Sequence, residues 1–165
     1  MGTQSRRNLL RGVLFVAALV IAALIYYFSS QDGNESSELS RGVSRFILRL
    51  FVPGYDDLPR REQYAHLKAL GLYVRKCAHF TEYAVFAAVL ENYLRLRLPS
   101  GSVKLSAGLG WLIATLYAGT DELHQMFVAG RGPALLDVGI DSAGALTGVL
   151  IAAAVLSAHL KRKKG

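Results

Sequence analysis

Apolar residues fall into four long stretches of the chain, at residues 9–28, 77–98, 105–127 and 134–160. Each is close to the roughly 20 residues that an α-helix needs, at about 1.5 Å of rise per residue, to cross about 30 Å of hydrocarbon. The pattern therefore predicts an all-α fold. We expect a polytopic membrane bundle of four transmembrane helices, in a single domain over residues 1–165.

The first apolar stretch also has features of a cleaved signal peptide, since Arg6, Arg7 and Arg11 lie close to its start. Its C-terminal end, residues 26–30, offers no A-x-A pattern for cleavage. We therefore predict that this stretch is retained as the first transmembrane helix.

The connection between the first two predicted spans, residues 29–76, is too rich in apolar residues to be a simple linker. Apolar residues recur at helical spacing from residue 40 to residue 51, which predicts one helix. Pro53 and Gly54 are expected to end this helix, and residues 62–73 predict a second short helix that leads into the next span.

The first helix of this connection has Arg41, Arg45 and Arg49 at intervals of four residues. Two arrangements fit such a pattern. The helix lies in the outer membrane interface with its arginines toward lipid phosphates, or it is an amphipathic helix packed on the protein itself.

The charge distribution orients the predicted bundle. Lys and Arg residues cluster near the N-terminus, at residues 95–104 and at residues 161–164, whereas every acidic residue except Glu91 belongs to the opposite side. Short cytoplasmic loops carry an excess of Lys and Arg. We therefore predict a multi-pass protein of the cell membrane with both termini in the cytoplasm, so that residues 29–76 and Arg131 are external.

The net charge of +7 could also indicate nucleic-acid binding, but the basic residues lie beside the apolar spans. The sequence has no RNA-binding signature, zinc-finger spacing or basic helix with interleaved aromatic residues. We predict no nucleic-acid partner. The single cysteine, Cys77, excludes an internal disulfide.

Ionisable residues of the second, third and fourth predicted spans fall at a similar depth near the external face. In the second span, Lys76, His79 and either Glu82 or Tyr83 share one helix face. An Asp or Arg at mid-membrane costs about 2.5 to 3.5 kcal/mol, so such residues are expected to face the bundle interior and to pair. The predicted polar pocket contains Lys76, His79, Glu82, Asp121, Glu122, Gln125, Arg131 and Asp137, with Asp141 one turn further along.

Two alternatives remain open for this cluster. An ion-pair network that only holds the helices in register would use the same residues. Arg131, between Gly130 and Gly132, suits a carboxylate or phosphate ligand, but pairing with Asp137 fits equally well. The spacing of Gly144 and Gly148 predicts close helix packing and carries no further function.

Five short motifs together resemble the VanZ-like family, over residues 27 to about 150. They are Tyr27-Phe28-Ser29-Ser30-Gln31, Lys76-x-x-His79-Phe80-x-Glu82-Tyr83, Asp121-Glu122-x-x-Gln125-x-Phe127, Gly130-Arg131-x-x-x-x-x-Asp137 and Gly144-x-x-x-Gly148. The family is named for a protein encoded with glycopeptide-resistance genes and associated with resistance to teicoplanin. The resemblance implies a role in the cell envelope and no known reaction.

Three classes of function fit these observations. The first is a membrane protein without transport activity whose outward pocket binds a membrane lipid, a lipid-linked cell-wall precursor or a glycopeptide. The second is an intramembrane enzyme that uses His79 with Glu82 or Asp121 as acid and base. In a metal-dependent form, His79, Glu82, Asp121 and Glu122 would hold the ion. We predict no metal and no cofactor. A transporter is third, because four helices rarely enclose a pathway without forming a homo-oligomer, an assembly that the sequence also allows.

Overall fold

The computed structural model describes residues 2–31, 33–99, 102–130 and 134–162, and within these residues the chain is helical with no strand. The elements are α1 (Thr3–Ser30), α2 (Gly33–Phe51), a 3-10 turn (Tyr55–Asp57), α3 (Arg60–Arg97), α4 (Val103–Gln125) and α5 (Leu135–Arg162). The all-α prediction is confirmed. Each of the four predicted spans lies within or largely overlaps one long helix.

Helix α3 is the centre of the bundle, because α1, α2, α4 and α5 all pack against it. Its buried residues Tyr83, Phe86 and Ala87 contact small residues of α4 and α5, such as Ala114 and Ala145. Short side chains let helix backbones approach closely, which is how membrane helices gain packing energy where the hydrophobic effect between them is weak.

The glycine pair of α5 lies against the backbone of α3, as its spacing predicted. A Cβ atom added to Gly144 would overlap the carbonyl oxygen of Phe80, and one added to Gly148 would overlap that of Ala84. Residues four apart on one helix therefore meet residues four apart on the other. This contact fixes α5 against α3 and sets the position of every side chain that projects between them.

Helix α2 ends at Phe51, and Gly54 adopts a left-handed conformation with φ of 70°, as expected for the predicted Pro53-Gly54 break. One face of α2 packs on α3, where Ser40 and Ser44 lie against Gly71. The opposite side exposes apolar side chains: Phe46 is 70% exposed and Leu50 is 65% exposed. The helix is thus packed on the protein, as in the second arrangement, and it also retains an exposed apolar face. Its predicted position in the membrane interface stays a prediction.

The prediction of a separate short helix at residues 62–73 is wrong. These residues form the N-terminal part of α3, which continues without interruption to Arg97. No proline or glycine pair separates them from the following apolar stretch, and the single Gly71 serves packing against α2 rather than chain reversal. At about 1.5 Å per residue, a helix of 38 residues is longer than the membrane core is thick.

Among the described residues, two helices are long and apolar enough to cross a membrane, at Thr3–Ser30 and Leu135–His159. Helix α1 also exposes many large apolar side chains, among them Leu9 and Leu19. The apolar stretches of α3 and α4 carry ionisable residues of the predicted pocket, which lowers their mean hydropathy. By this criterion the prediction of four transmembrane helices is not confirmed.

Candidate functional site

The ends of three helices and the middle of a fourth meet at one end of the bundle. Helix α1 ends there at Ser30, α4 ends at Gln125 and α5 begins at Leu135, while α3 passes through with Lys76 and His79. This arrangement follows from antiparallel neighbours joined by short connections. It brings residues that are far apart in the sequence into one polar region.

A buried hydrogen-bond network joins α1 to α4. The Ser29 hydroxyl donates to Oδ2 of Asp121 over 2.7 Å, and the Gln125 amide donates to the same oxygen over 3.3 Å and to Ser29 Oγ over 3.2 Å. All three side chains are buried. A carboxyl group in this setting needs such donors, because an unpaired polar group away from water is costly.

Lys76 and Asp137 form an ion pair that joins α3 to α5. Their side chains are 38% and 40% exposed, so the pair lies at the mouth of the polar region rather than in its interior. Partial exposure reduces the energy of such a pair through solvent screening. The convergence of Lys76 and Asp137 agrees with the prediction that acids and bases of different spans would meet.

Glu122 of α4 binds the beginning of α5. Its carboxylate accepts a hydrogen bond from the backbone N–H of Ala134, the residue before the first turn of α5. The positive end of the helix dipole favours a negative charge at this position. Glu122 therefore ties the α4–α5 connection to the helix that carries Asp137 and Asp141.

These contacts enclose a polar cavity of about 210 Å³ between α3, α4 and α5. We call it the polar cavity. Its ionisable or amide lining residues are Arg75, Lys76, His79, Glu122, Gln125, Asp137 and Asp141, and Leu72, Gly130 and Ile140 complete it. Among these residues three carboxyl side chains face two permanent cations. Such a lining suits hydrogen-bond donors of a ligand better than it suits an isolated anion.

Asp141 is the lining residue with the most unusual environment. It is 5% exposed, and its Oδ1 atom has no hydrogen-bond partner among the described residues. The acidic groups of Asp121, Glu122 and Asp137 all lie within electrostatic range. A buried oxygen at the wall of a cavity that lacks a protein donor is a natural acceptor for a ligand N–H or O–H group.

Not all the predicted site residues share the cavity. Lys76, His79, Glu122, Gln125 and Asp137 line it. Asp121 lies behind it in the buried network, where it binds Gln125. Glu82 lines a separate, largely apolar groove between α1 and α3. Arg131 lies outside the described residues, so its predicted place over the pocket stays a prediction.

Sequence reasoning left three contributors out of the predicted ligand-binding set. Ser29 joins the buried network and Arg75 lines the cavity. Asp141 also lines it, and its spacing of four residues from Asp137 had placed it at the same depth. Arg75 stands four residues before His79, about one helical turn, and this spacing could have marked it for the cavity. Nothing local to Ser29 predicts that its hydroxyl would reach a residue of α4.

The described residues contain no group of three or more His, Cys, Asp or Glu side chains placed to hold one metal ion. The four residues considered for a metal-dependent enzyme are divided between the cavity, the buried network and the apolar groove. The structure therefore gives the metal-dependent form of that hypothesis no geometric support.

Comparison with known proteins agrees with the motifs. No curated protein and no solved structure matches the chain. The model of the VanZ/LLP1 family, in contrast, matches residues 14–156, a range that includes α3, α4, the cavity and most of α1 and α5. Together with the apolar helices α1 and α5, this match indicates a membrane protein. The chain belongs to the VanZ-like family.

Proposed function

We propose that the protein is a multi-pass protein of the cell envelope whose polar cavity binds the head group of a lipid-linked envelope component. The observation that carries the proposal is the buried Asp141 oxygen, which faces the cavity and has no hydrogen-bond partner among the described residues. Three carboxyl side chains against two cations favour an amine, amide or hydroxyl group of the ligand. The anionic ligand expected from Arg131 fits this part of the lining less well.

Antiparallel crossings support the membrane arrangement. Helices α1 and α5 are apolar enough to span the bilayer, and α3 is long enough to do so with a turn or more to spare. Four crossings would place the cavity near the outer face and the basic residues 95–104 and 161–164 in the cytoplasm, in keeping with the positive-inside rule. A lipid-linked ligand or a glycopeptide would approach from that outer face.

This topology predicts which residues a membrane-impermeant maleimide reaches. In a Cys77→Ser background, Tyr64→Cys should react in intact cells, because α3 begins outside the membrane. Lys104→Cys, in the α3–α4 connection, should react only after permeabilisation. Both positions are exposed on the protein surface. The opposite labelling pattern would place the cavity at the cytoplasmic face and overturn the outward binding site.

The functional test uses Asp141→Asn in a strain in which deletion of the gene lowers tolerance to a teicoplanin-type glycopeptide. The amide keeps the shape of the side chain and cannot take the negative charge that burial beside Asp121, Glu122 and Asp137 disfavours, so stability should be kept or increased. Tolerance should nevertheless fall to the level of the deletion strain. The measurements are the inhibitory drug concentration and the abundance of the protein in the membrane.

Asp56→Asn is the matched control for this test. Asp56 makes an exposed ion pair with Arg49 over 3.0 Å and does not line the cavity. Its substitution should leave both abundance and tolerance unchanged, because exposed pairs contribute about 0 to 1 kcal/mol. If tolerance follows abundance in both variants, the cavity residues form a stabilising network only and the proposed binding function is wrong.

The enzyme hypothesis receives less support from the geometry. Of the three residues considered for acid–base chemistry, only His79 lines the cavity. Asp121 is engaged by Ser29 and Gln125, and Glu82 lies in the apolar groove. A general acid and base need to reach the same substrate, and this separation does not provide it.

A further inference from the structure

A second cavity, also of about 210 Å³, lies between α2 and α3. We call it the basic crevice. Three cationic side chains line it, and the complete lining is Ser40, Arg41, Tyr64, Leu67, Lys68, Gly71, Leu72 and Arg75. No carboxyl side chain is present among these described residues. Its charge is thus opposite in sign to the excess of acids in the polar cavity.

The sequence explains why the crevice has this charge. On α3, Lys68 and Arg75 are seven residues apart, close to two full turns, so they project to the same side of the helix. Gly71 lies between them and lets α2 approach: a Cβ atom there would come within 3.4 Å of Ser40 Oγ. The approach of α2 brings Arg41 to the same cleft.

Glu38 contacts Arg41 from outside the crevice. Glu38 lies 3.4 Å from the Arg41 guanidinium, but its side chain is 78% exposed and does not line the crevice. A pair of this kind is worth at most about 1 kcal/mol. A ligand anion in the crevice would interact with Lys68 and Arg75 as well as with Arg41.

We propose that the basic crevice binds a phosphate group. Guanidinium groups match phosphate oxygens through paired N–H donors, and a lysine adds a point charge. The Ser40 and Tyr64 hydroxyls supply further donors at the wall. A volume of about 210 Å³ holds one phosphate with several waters, since a water occupies about 30 Å³.

The surroundings of the crevice indicate that this phosphate belongs to a lipid headgroup. Phe46 and Leu50 of α2 are exposed apolar side chains, as on a helix that lies in a membrane interface. With α2 in the membrane interface, a crevice beside it would lie at the depth of lipid phosphates. The proposal stands independently of the polar cavity, although Leu72 and Arg75 line both and make the two compartments neighbours.

The test is binding to the full-length protein in detergent micelles, with soluble short-chain phosphatidylglycerol as the probe. Diacylglycerol of the same chain length lacks the phosphate and should not bind at the same concentrations. Arg41→Gln and Lys68→Gln should each weaken phosphatidylglycerol binding at least about tenfold, because each removes a charge-assisted contact. Neither side chain is buried, so neither substitution should disturb the packing of the helices. The second variant shows whether a loss of binding by the first is caused by misfolding.

Arg45→Gln is the matched control, since Arg45 is one turn further along α2, exposed, and outside the crevice. It should change the affinity less than twofold. Inorganic phosphate that displaces the lipid at equal concentration would support the phosphate site and assign it to free phosphate instead of a lipid. Equal weakening by Arg45→Gln, or none by the two crevice variants, would overturn the proposal.

Discussion

Gly148→Ala is expected to destabilise the bundle by about 3 kcal/mol, at the upper end of the usual cost of overpacking. The added Cβ would overlap the carbonyl oxygen of Ala84, and nearby backbone atoms of the same residue are also within contact distance. A backbone carbonyl of a helix cannot rotate aside as a side chain does. Helix α5 must therefore move away from α3, and the contact at Gly144 is lost with it.

Gly139→Ala is the control on the same helix, because a Cβ atom added there meets nothing within 4 Å. Alanine is favoured over glycine in a helix by about 1 kcal/mol, so this variant should be slightly more stable than the original protein. Thermal unfolding of both variants in the same detergent measures the difference. Equal melting temperatures would show that α5 does not lie against α3 in the manner described.

The long elements of this fold were predictable because they rest on local signals. Apolar stretches of membrane length predicted α1 and α5, and proline with glycine predicted the end of α2 at Phe51. The Gly144 and Gly148 pair predicted a close helix contact, although not which helix would provide it. That second step depends on tertiary structure, since any neighbouring helix could meet a surface of small residues.

The prediction that α3 and α4 also span the membrane is not confirmed by their hydropathy, for a physical reason connected with the site. Hydropathy detects a span by the absence of charge, whereas Lys76, Asp121 and Glu122 belong to the helices that form the cavity and its supporting network. Such residues are tolerated in a membrane only when they face one another. Helices that carried such a site across a membrane would be the ones that composition identifies least well.

The candidate site was predictable as a cluster but not in its detail. Lys76 and Glu82 are six residues apart, which separates them by about 120° around a helix of 3.6 residues per turn. The intermediate His79 made them appear to share a face, but Lys76 lines the polar cavity and Glu82 lines the apolar groove. Sequence spacing predicts which residues lie on the same side of a helix. Which cavity each of them lines depends on the neighbouring helices.

Ser29→Ala is expected to destabilise the protein by about 1.5 to 3 kcal/mol, the range for a hydrogen bond to a charged group. Ser29 is fully buried, and without its hydroxyl the Asp121 oxygen retains the Gln125 amide, at 3.3 Å, as a donor. Ser30→Ala is the adjacent control. Its hydroxyl donates to the carbonyl of Tyr27 within the same helix and is exposed, so the melting temperature should hardly change.

A double-mutant cycle then separates this contact from general damage to the bundle. Asp121→Ala removes the acceptor for both Ser29 and Gln125, so it should cost more than Ser29→Ala alone. The Ser29–Asp121 bond is lost in each single variant and can be lost only once, so the double variant should be at least about 1 kcal/mol more stable than the sum predicts. Strict additivity would mean that the two side chains do not interact, and α1 would then be held against α4 without the buried network. A measured coupling would instead show that the Ser29–Asp121 bond holds α1 against α4, the helix that carries Gln125 to the cavity wall. Under the proposed function, Ser29→Ala should then lower glycopeptide tolerance even when abundance in the membrane is restored by higher expression.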